Sequence, residues 1–173
     1  MSAHPTEPTY IVSLSEIMWG GILVAITLVM HGFGMLATLR CTGAFKERFG
    51  RTPSFAGSMG NLILGSWLIT FVHMMEVLLW ACFFQWNRCF ENFSTAGYFS
   101  LMEYTTIGSQ YNLPQRWRLL EGMIGTAGLI GFAWSTGVLM TLAQAFQDQQ
   151  TQRPGKHGGA PAEAATSENN PDR

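Results

Sequence analysis

The chain has 173 residues, of which 47% are hydrophobic, 13% aromatic and only 12% charged. Globular proteins carry about 25% charged residues, so this composition indicates a membrane protein rather than a soluble domain. The formal net charge of −1 argues against nucleic-acid binding, and it indicates no recruitment to anionic lipid beyond ordinary anchoring.

Three long segments nearly free of charge are the predicted membrane-spanning helices. Charged residues are absent from 17–39 and 122–147, and Glu76 is the only one in 52–87. Each segment exceeds the roughly 20 residues that a helix needs to cross a hydrocarbon core of about 30 Å. The sequence therefore predicts transmembrane helices near 17–39, 62–86 and 119–146.

These spans divide the chain into an N-terminal tail (1–15), a membrane domain (16–147) and a second tail (148–173). The second tail is rich in Gly, Pro, Ala and polar residues, which predicts disorder. Seven of the ten Lys and Arg residues lie in the loop after the first span or in this tail. The positive-inside rule then predicts that the N-terminus faces outside and the C-terminus lies in the cytoplasm.

The segment 92–114, between the second and third spans, reads "NFSTAGYFSLMEYTTIGSQYNLP". It begins at cap-type residues and continues with apolar residues for a length that is too short to span a bilayer. Irregular backbone at membrane depth is tolerated only where protein buries it or where it lines a water-filled cavity. A half-helix followed by Thr-Thr-Ile-Gly therefore predicts a re-entrant loop facing a pore, and the negative end of the helix dipole favours a cation there.

The order of elements resembles the pore module of the bacterial potassium-channel-like ion channels: a helix, a short pore helix, "TTIG" and a further helix. The filter of that family typically reads Thr-Thr-x-Gly-Tyr-Gly-Asp. The segments "LPQRWRLLEG" and "LIGFAWSTGVL" are similar to the Pro-x-x-Trp-Arg-Leu-Leu and Phe-x-Trp-Ser-Thr patterns of a small three-helix branch. The stretch "HMMEVLLWA" resembles the His-x-x-Glu…Trp-Ala pattern of the same branch, so the resemblance covers about residues 60–145.

The resemblance implies an all-α bacterial inner-membrane protein with three transmembrane helices, a re-entrant pore helix and a filter-like loop. Four identical chains would surround one axis, and the loops would replace the hydration shell of a permeant K⁺ or Na⁺ ion. It implies no resident cofactor, and because no nucleotide or protease motif is present we expect no enzyme. The implied filter residues are Thr105, Thr106, Ile107, Gly108, Ser109 and Gln110.

The sequence departs from the family pattern after Gly108. Ser109, Gln110 and Tyr111 stand where the family has Tyr, the second Gly and Asp. A glycine there adopts positive φ, and a residue with a Cβ atom loses roughly 1–2 kcal/mol in that conformation. We therefore expect cation permeation with weak or altered potassium selectivity. The alternative is a non-conducting subunit that acts as a scaffold or partner of other membrane proteins in a larger complex.

Glu103 and Tyr111 flank the loop and are assigned to pore support. Glu103 lies in the last turn of the pore helix, where the dipole disfavours a carboxylate. It is expected to be protonated, hydrogen-bonded to loop backbone or paired with a cation. It then either sets the charge beside the filter or braces the loop.

His73 and Glu76 lie on one face of the second span, and His31 lies at a similar depth on the first. Ionisable residues in a span turn inward and are candidates for function. The three form either a proton path, a metal site or a hydrogen-bonded cluster, and we prefer the cluster because polar pairs hold helices together in lipid. Two histidines and a carboxylate suit Zn²⁺ or Fe²⁺ but form no diagnostic motif, so an intramembrane metal or redox protein is a third interpretation.

The third span is rich in glycine, and the resemblance makes it the pore-lining inner helix. A bend near Gly128 or Gly131 would allow gating, while close helix packing explains small residues there equally well.

Overall fold

The computed structural model describes residues 10–49 and 55–151. Within these ranges the chain is all-helical, without strands. The elements are α1 (Leu14–Phe49), α2 (Phe55–Trp86), α3 (Phe93–Tyr104), a short 3₁₀ turn (Gln115–Trp117) and α4 (Leu119–Thr151). Three of the described helical segments are long and apolar enough to cross a membrane: Leu14–Arg48, Phe55–Trp86 and Gln115–Thr151. The predicted all-α fold is confirmed for the described residues, together with three helices that are long and apolar enough to span a membrane.

The long helices extend beyond the predicted spans. α1 continues to Phe49, α2 begins at Phe55 and α4 continues to Thr151. In α1 the extension 40–49 contains Arg, Lys and Glu, which are good helix formers, so this helix continues where the apolar span stops. Residues 148–151 of the tail predicted to be disordered are therefore helical, whereas 1–9 and 152–173 lie outside the described residues.

Glu16 joins the N-terminal ends of α1 and α4. Its backbone N–H donates to Ser13 Oγ at 3.3 Å, and Ser13 N–H donates to Glu16 Oε2 at 3.0 Å, which is a capping box. Its other carboxylate oxygen accepts hydrogen bonds from the Tyr10 hydroxyl at 3.0 Å and from Leu119 N–H at 3.2 Å. This fully buried residue therefore places the starts of the two helices at the same end of the bundle.

α3 packs between α2 and α4, and α1 packs against α2 and α4 as well. Towards the end near Glu16, large apolar side chains fill the interior, among them Trp80, Phe84 and Phe99, all with 0% exposure. A smaller apolar cluster of Met35, Ile69 and Val138 lies towards the opposite end. Because His31, His73 and Ser135 lie between these two groups along their helices, a polar layer separates two apolar ones.

Candidate functional site

α3 begins and ends with defined caps. The Asn92 side chain accepts a hydrogen bond from Thr95 N–H at 2.8 Å at its start. At its end, Thr106 N–H donates to the Glu103 carbonyl and Ile107 N–H donates to the Met102 carbonyl, each at 3.0 Å. This pair of bonds is a Schellman motif, which needs one residue in the left-handed conformation. Thr106 takes that position, with φ of 60°.

The predicted filter residues form this cap and the turn that follows it. Ile107 is 71% exposed, and Thr106, Gly108 and Gln110 are exposed as well. Among the described residues, positive φ occurs at Arg88, Thr106 and Gly108. The prediction of backbone strain at Gln110 is therefore wrong, since the strained non-glycine residue of this loop is Thr106. The hydrogen bonds of the helix cap decide which residue is left-handed, and the filter pattern of the family does not.

Two carboxylates hold the rest of the loop. Glu103 Oε1 accepts a hydrogen bond from Ser109 N–H at 2.9 Å, and Glu121 Oε1 accepts one from Leu113 N–H at 2.7 Å. Burial raises the pKa of Glu103 above its ordinary value of 4.5, and the charge of Glu121 raises it further, while the bond from Ser109 acts in the opposite direction. Three states were expected for Glu103, and the structure shows one of them, the hydrogen bond to loop backbone.

Tyr111 lies on the outer side of the same loop. Its N–H donates to Ser109 Oγ at 3.0 Å, and its ring lies edge-on to Phe90 and Tyr98, with centroids 6.4 Å and 6.1 Å away. Tyr111 therefore braces the loop against the start of α3.

The glycines of α4 allow α3 to approach closely. A Cβ atom at Gly128 would lie 2.0 Å from the Tyr104 carbonyl oxygen, and one at Gly131 would lie 3.0 Å from the Tyr104 hydroxyl. α4 is one helix through both positions. Packing accounts for both glycines, and a gating hinge at either remains a prediction.

His31, His73 and Glu76 come together at the centre of the bundle, where their potential ligand atoms all lie within 4.8 Å of one another. His31 Nδ1 lies 2.9 Å from Glu76 Oε1, and His73 Nδ1 lies 3.4 Å from Glu76 Oε2. The Tyr104 hydroxyl donates to Glu76 Oε2 and lies 2.8 Å from His73 Nδ1. His31 of α1, His73 of α2 and Tyr104 of α3 thus meet around the Glu76 carboxylate.

Ser135 of α4 closes the group on the other side of the imidazole rings. Its Oγ lies 3.0 Å from His73 Nε2 and 3.3 Å from His31 Nε2. We call His31, His73, Glu76, Tyr104 and Ser135 the central cluster. None of the five is more than 7% exposed. The rings of Trp134 and Phe132 lie against His31 and His73, at centroid distances of 5.5 Å and 4.7 Å.

Sequence reasoning missed Tyr104 and Ser135 as members of this site. The signal for Tyr104 was a phenol at the buried end of a half-helix, since a buried Tyr hydroxyl requires a hydrogen-bond partner. The signal for Ser135 was its position one turn after Gly131 on the small-residue face of the third span. A second buried polar pair, the Trp80 indole N–H and Thr27 Oγ1 at 3.0 Å, was missed as well.

No protein-family model, curated protein or solved structure matches the chain. The likeness to the potassium-channel-like family rests on the sequence motifs alone.

Proposed function

We propose that the chain forms a homotetrameric pore-loop cation channel of the potassium-channel-like type, with weak or altered potassium selectivity. Its place would be a bacterial inner membrane, with the N-terminus outside and the C-terminus in the cytoplasm. The observation that carries the proposal is the path of α3, which enters the helix bundle and ends inside it.

The depth of α3 follows from its contacts. Tyr104, its last residue, contacts Glu76, which lies ten residues before the end of α2 at Trp86. At a rise of about 1.5 Å per residue, the Tyr104 hydroxyl therefore lies about 15 Å below the end of α2. The chain then returns to Leu119, beside Glu16 at the starting level of α1 and α4. A segment that goes in and comes back out on the same side supports a re-entrant loop.

The exposed loop supports assembly around an axis. The Ile107 side chain is 71% exposed, although it follows a helix that ends in the interior. In a ring of four chains with α3 towards the axis, neighbouring loops would enclose these side chains. α1, which packs against α2 and α4, would then lie towards lipid.

The charge of the loop favours a cation over an anion. Glu103 and Glu121 accept hydrogen bonds from the loop backbone, and 103–113 contains no Lys or Arg. A ring would place several carboxyl groups near its axis, and acidic rings attract cations.

The test is cation flux into liposomes that contain the purified protein, with K⁺ and Na⁺ compared. We expect both ions to pass, and Gln110→Gly to change their ratio. The matched control is Phe33→Ala on α1, a 70% exposed side chain away from the loop. Its flux should stay within about twofold of the wild type, as for an ordinary surface substitution. Absence of flux in both the wild type and Gln110→Gly excludes a channel, and strong K⁺ preference in the wild type contradicts the inference from Ser109 and Gln110.

One observation favours the second candidate, a non-conducting scaffold or partner subunit. The carbonyl groups of Met102 and Glu103 at the end of α3 already accept hydrogen bonds from the loop, so they have less capacity to face a cation. Native mass spectrometry in detergent separates the two candidates when it is combined with the flux assay. A tetramer without flux supports the scaffold, and a monomer without flux contradicts the ring itself.

A further inference from the structure

We infer that the central cluster binds one divalent transition-metal ion of the Zn²⁺ or Fe²⁺ class. The ligands are His31 Nδ1, His73 Nδ1 and Glu76 Oε1, with the Tyr104 hydroxyl oxygen at the fourth position. The inference rests on contacts within a single chain and holds whether or not the chain conducts ions.

Three of the donor side chains converge closely enough to share one ion, because the ligand atoms of His31, His73 and Glu76 all lie within 4.8 Å of one another. With metal–ligand bonds of about 2.0–2.1 Å, the ligand atoms of a tetrahedral site stand about 3.3 Å apart. His31 Nδ1 lies 2.9 Å from Glu76 Oε1, and His73 Nδ1 lies 2.8 Å from the Tyr104 hydroxyl. His73 Nδ1 and Glu76 Oε2 are 3.4 Å apart. Small side-chain adjustments would therefore admit an ion between donors that already converge.

Ser135 contacts the Nε2 atom of each imidazole ring, on the side away from Glu76. Its Oγ has three neighbours: His73 Nε2 at 3.0 Å, His31 Nε2 at 3.3 Å and Met35 Sδ at 3.8 Å. A hydroxyl has one proton and two lone pairs, and a thioether sulfur can only accept. Two arrangements fit these contacts: in the first, Ser135 donates to Met35 and accepts an N–H from each histidine, and in the second it donates to one imidazole Nε2 and accepts an N–H from the other.

In the first arrangement both histidines present an unprotonated Nδ1 towards Glu76, whereas in the second, one histidine has a protonated Nδ1 that donates a hydrogen bond without any metal. The Tyr104 hydroxyl donates its single proton to Glu76 Oε2, so it does not also donate to an imidazole nitrogen. With the first pair of tautomers, two imidazole lone pairs and a carboxylate face one another in a buried site, and that arrangement requires a cation between them. A divalent metal satisfies that requirement, and the Nε2–H groups bonded to Ser135 are the outer contacts that orient metal-binding histidines.

The absence of a side chain at Gly131 leaves space for the ligand residues. A Cβ atom at this position would lie 3.0 Å from the Tyr104 hydroxyl, 3.4 Å from His31 Nδ1 and 3.4 Å from His73 Cε1. Alanine at 131 would therefore crowd three of the ligand side chains at once. Gly137 lies on the same helix with nothing within 4 Å of its Cβ position, and so provides the matched control.

The experiment titrates the full-length protein in detergent with Co²⁺, which reports its coordination geometry by visible absorption. The chain has four histidines, so His4→Ala and His157→Ala form the background, with an affinity tag that contains no histidine. We expect one Co²⁺ per chain with the intense bands of a tetrahedral site, displaced by one equivalent of Zn²⁺. His73→Ala should remove the bands, and Ser135→Ala should weaken binding by about 10–100-fold without changing the stoichiometry.

Gly131→Ala should weaken the bands, while Gly137→Ala should leave them at wild-type strength. Substoichiometric cobalt in the folded wild-type protein overturns the inference, because it means that a hydrogen-bonded cluster without metal is the native state. The weak bands of an octahedral ion, thiolate charge-transfer bands or full binding by His73→Ala also overturn it. If His73→Ala does not fold, the wild-type titration and the Gly131 and Gly137 pair decide the question. Ion flux takes no part in this readout, so its loss and the loss of metal binding are distinguishable.

Discussion

The central cluster and the loop from Thr105 to Leu113 adjoin at Tyr104, but their polar groups find hydrogen-bond partners in different ways. In the cluster, side chains from all four helices contact one another, and none is more than 7% exposed. In the loop, backbone hydrogen bonds and two carboxylates fix the path, yet the side chains of Thr106, Ile107 and Gln110 are exposed. The cluster is complete within one chain, whereas the loop has surfaces that only another molecule can cover. The stability and metal binding that depend on the cluster should therefore persist in a monomer, whereas ion flux through the loop should depend on assembly.

Removal of the carboxylate at the centre of the cluster should affect the protein most. Glu76→Ala removes the carboxylate that contacts two imidazoles and a phenol in the buried polar layer. We expect a loss of about 3–5 kcal/mol in the free energy of unfolding, as for a buried polar network that loses one partner. The measurement is reversible unfolding in detergent. Gln110→Ala in the loop is the control, and its stability should change by no more than about 0.5 kcal/mol. Equal effects at the two positions would show that the cluster does not organise the bundle.

The second test concerns Tyr104, where the cluster and the loop adjoin and where the end of α3 rests on α4. Gly128→Ala places a Cβ atom 2.0 Å from the Tyr104 carbonyl oxygen, whereas Gly137→Ala meets nothing within 4 Å. We expect Gly128→Ala to lower the free energy of unfolding by about 1–3 kcal/mol through overpacking. Gly137→Ala should instead raise it by up to about 1 kcal/mol through helix propensity. If both substitutions stabilise the protein, α3 does not rest on α4 at Gly128.

The sequence predicted the long helices and part of the cluster for physical reasons. A charge-free segment of sufficient length is the signature of a span, and the three-residue spacing of His73 and Glu76 puts both on one helical face. The predicted depth of His31 on the first span also places it in the layer of His73 and Glu76. Tyr104 and Ser135 were missed because their roles depend on how closely α3 approaches α4, which no periodicity encodes. The position of backbone strain was missed because it depends on where the α3 cap closes, and a family filter pattern does not specify that.

A third test separates stability from function within the loop. Thr106 has φ of 60°, a conformation that disfavours a β-branched residue, so Thr106→Gly should raise the free energy of unfolding by about 1 kcal/mol. Thr105 is the control, because its φ is −83° and its hydroxyl donates to the Leu101 carbonyl at 2.8 Å. Thr105→Gly should therefore destabilise the protein. If the Thr106 hydroxyl contacts a permeant ion, Thr106→Gly will be more stable and conduct less. Unchanged flux would remove this side chain from the ion path.

The smallest expected effect is a pH dependence that distinguishes the loop from the cluster. Burial and the charge of Glu121 raise the pKa of Glu103 above 4.5, so its carboxylate charge appears at a higher pH than usual. Cation flux should rise with pH through an inflection above 4.5. Glu103→Gln should abolish that inflection, and Glu121→Gln should move it to lower pH because a repelling charge is gone. The sign for stability is opposite: a carboxyl with a raised pKa favours folding below its unfolded pKa, and that contribution is lost as pH rises through the folded value. A flux that rises while stability falls over the same pH range therefore assigns the titration to Glu103, and an inflection that persists in Glu103→Gln assigns it to another group.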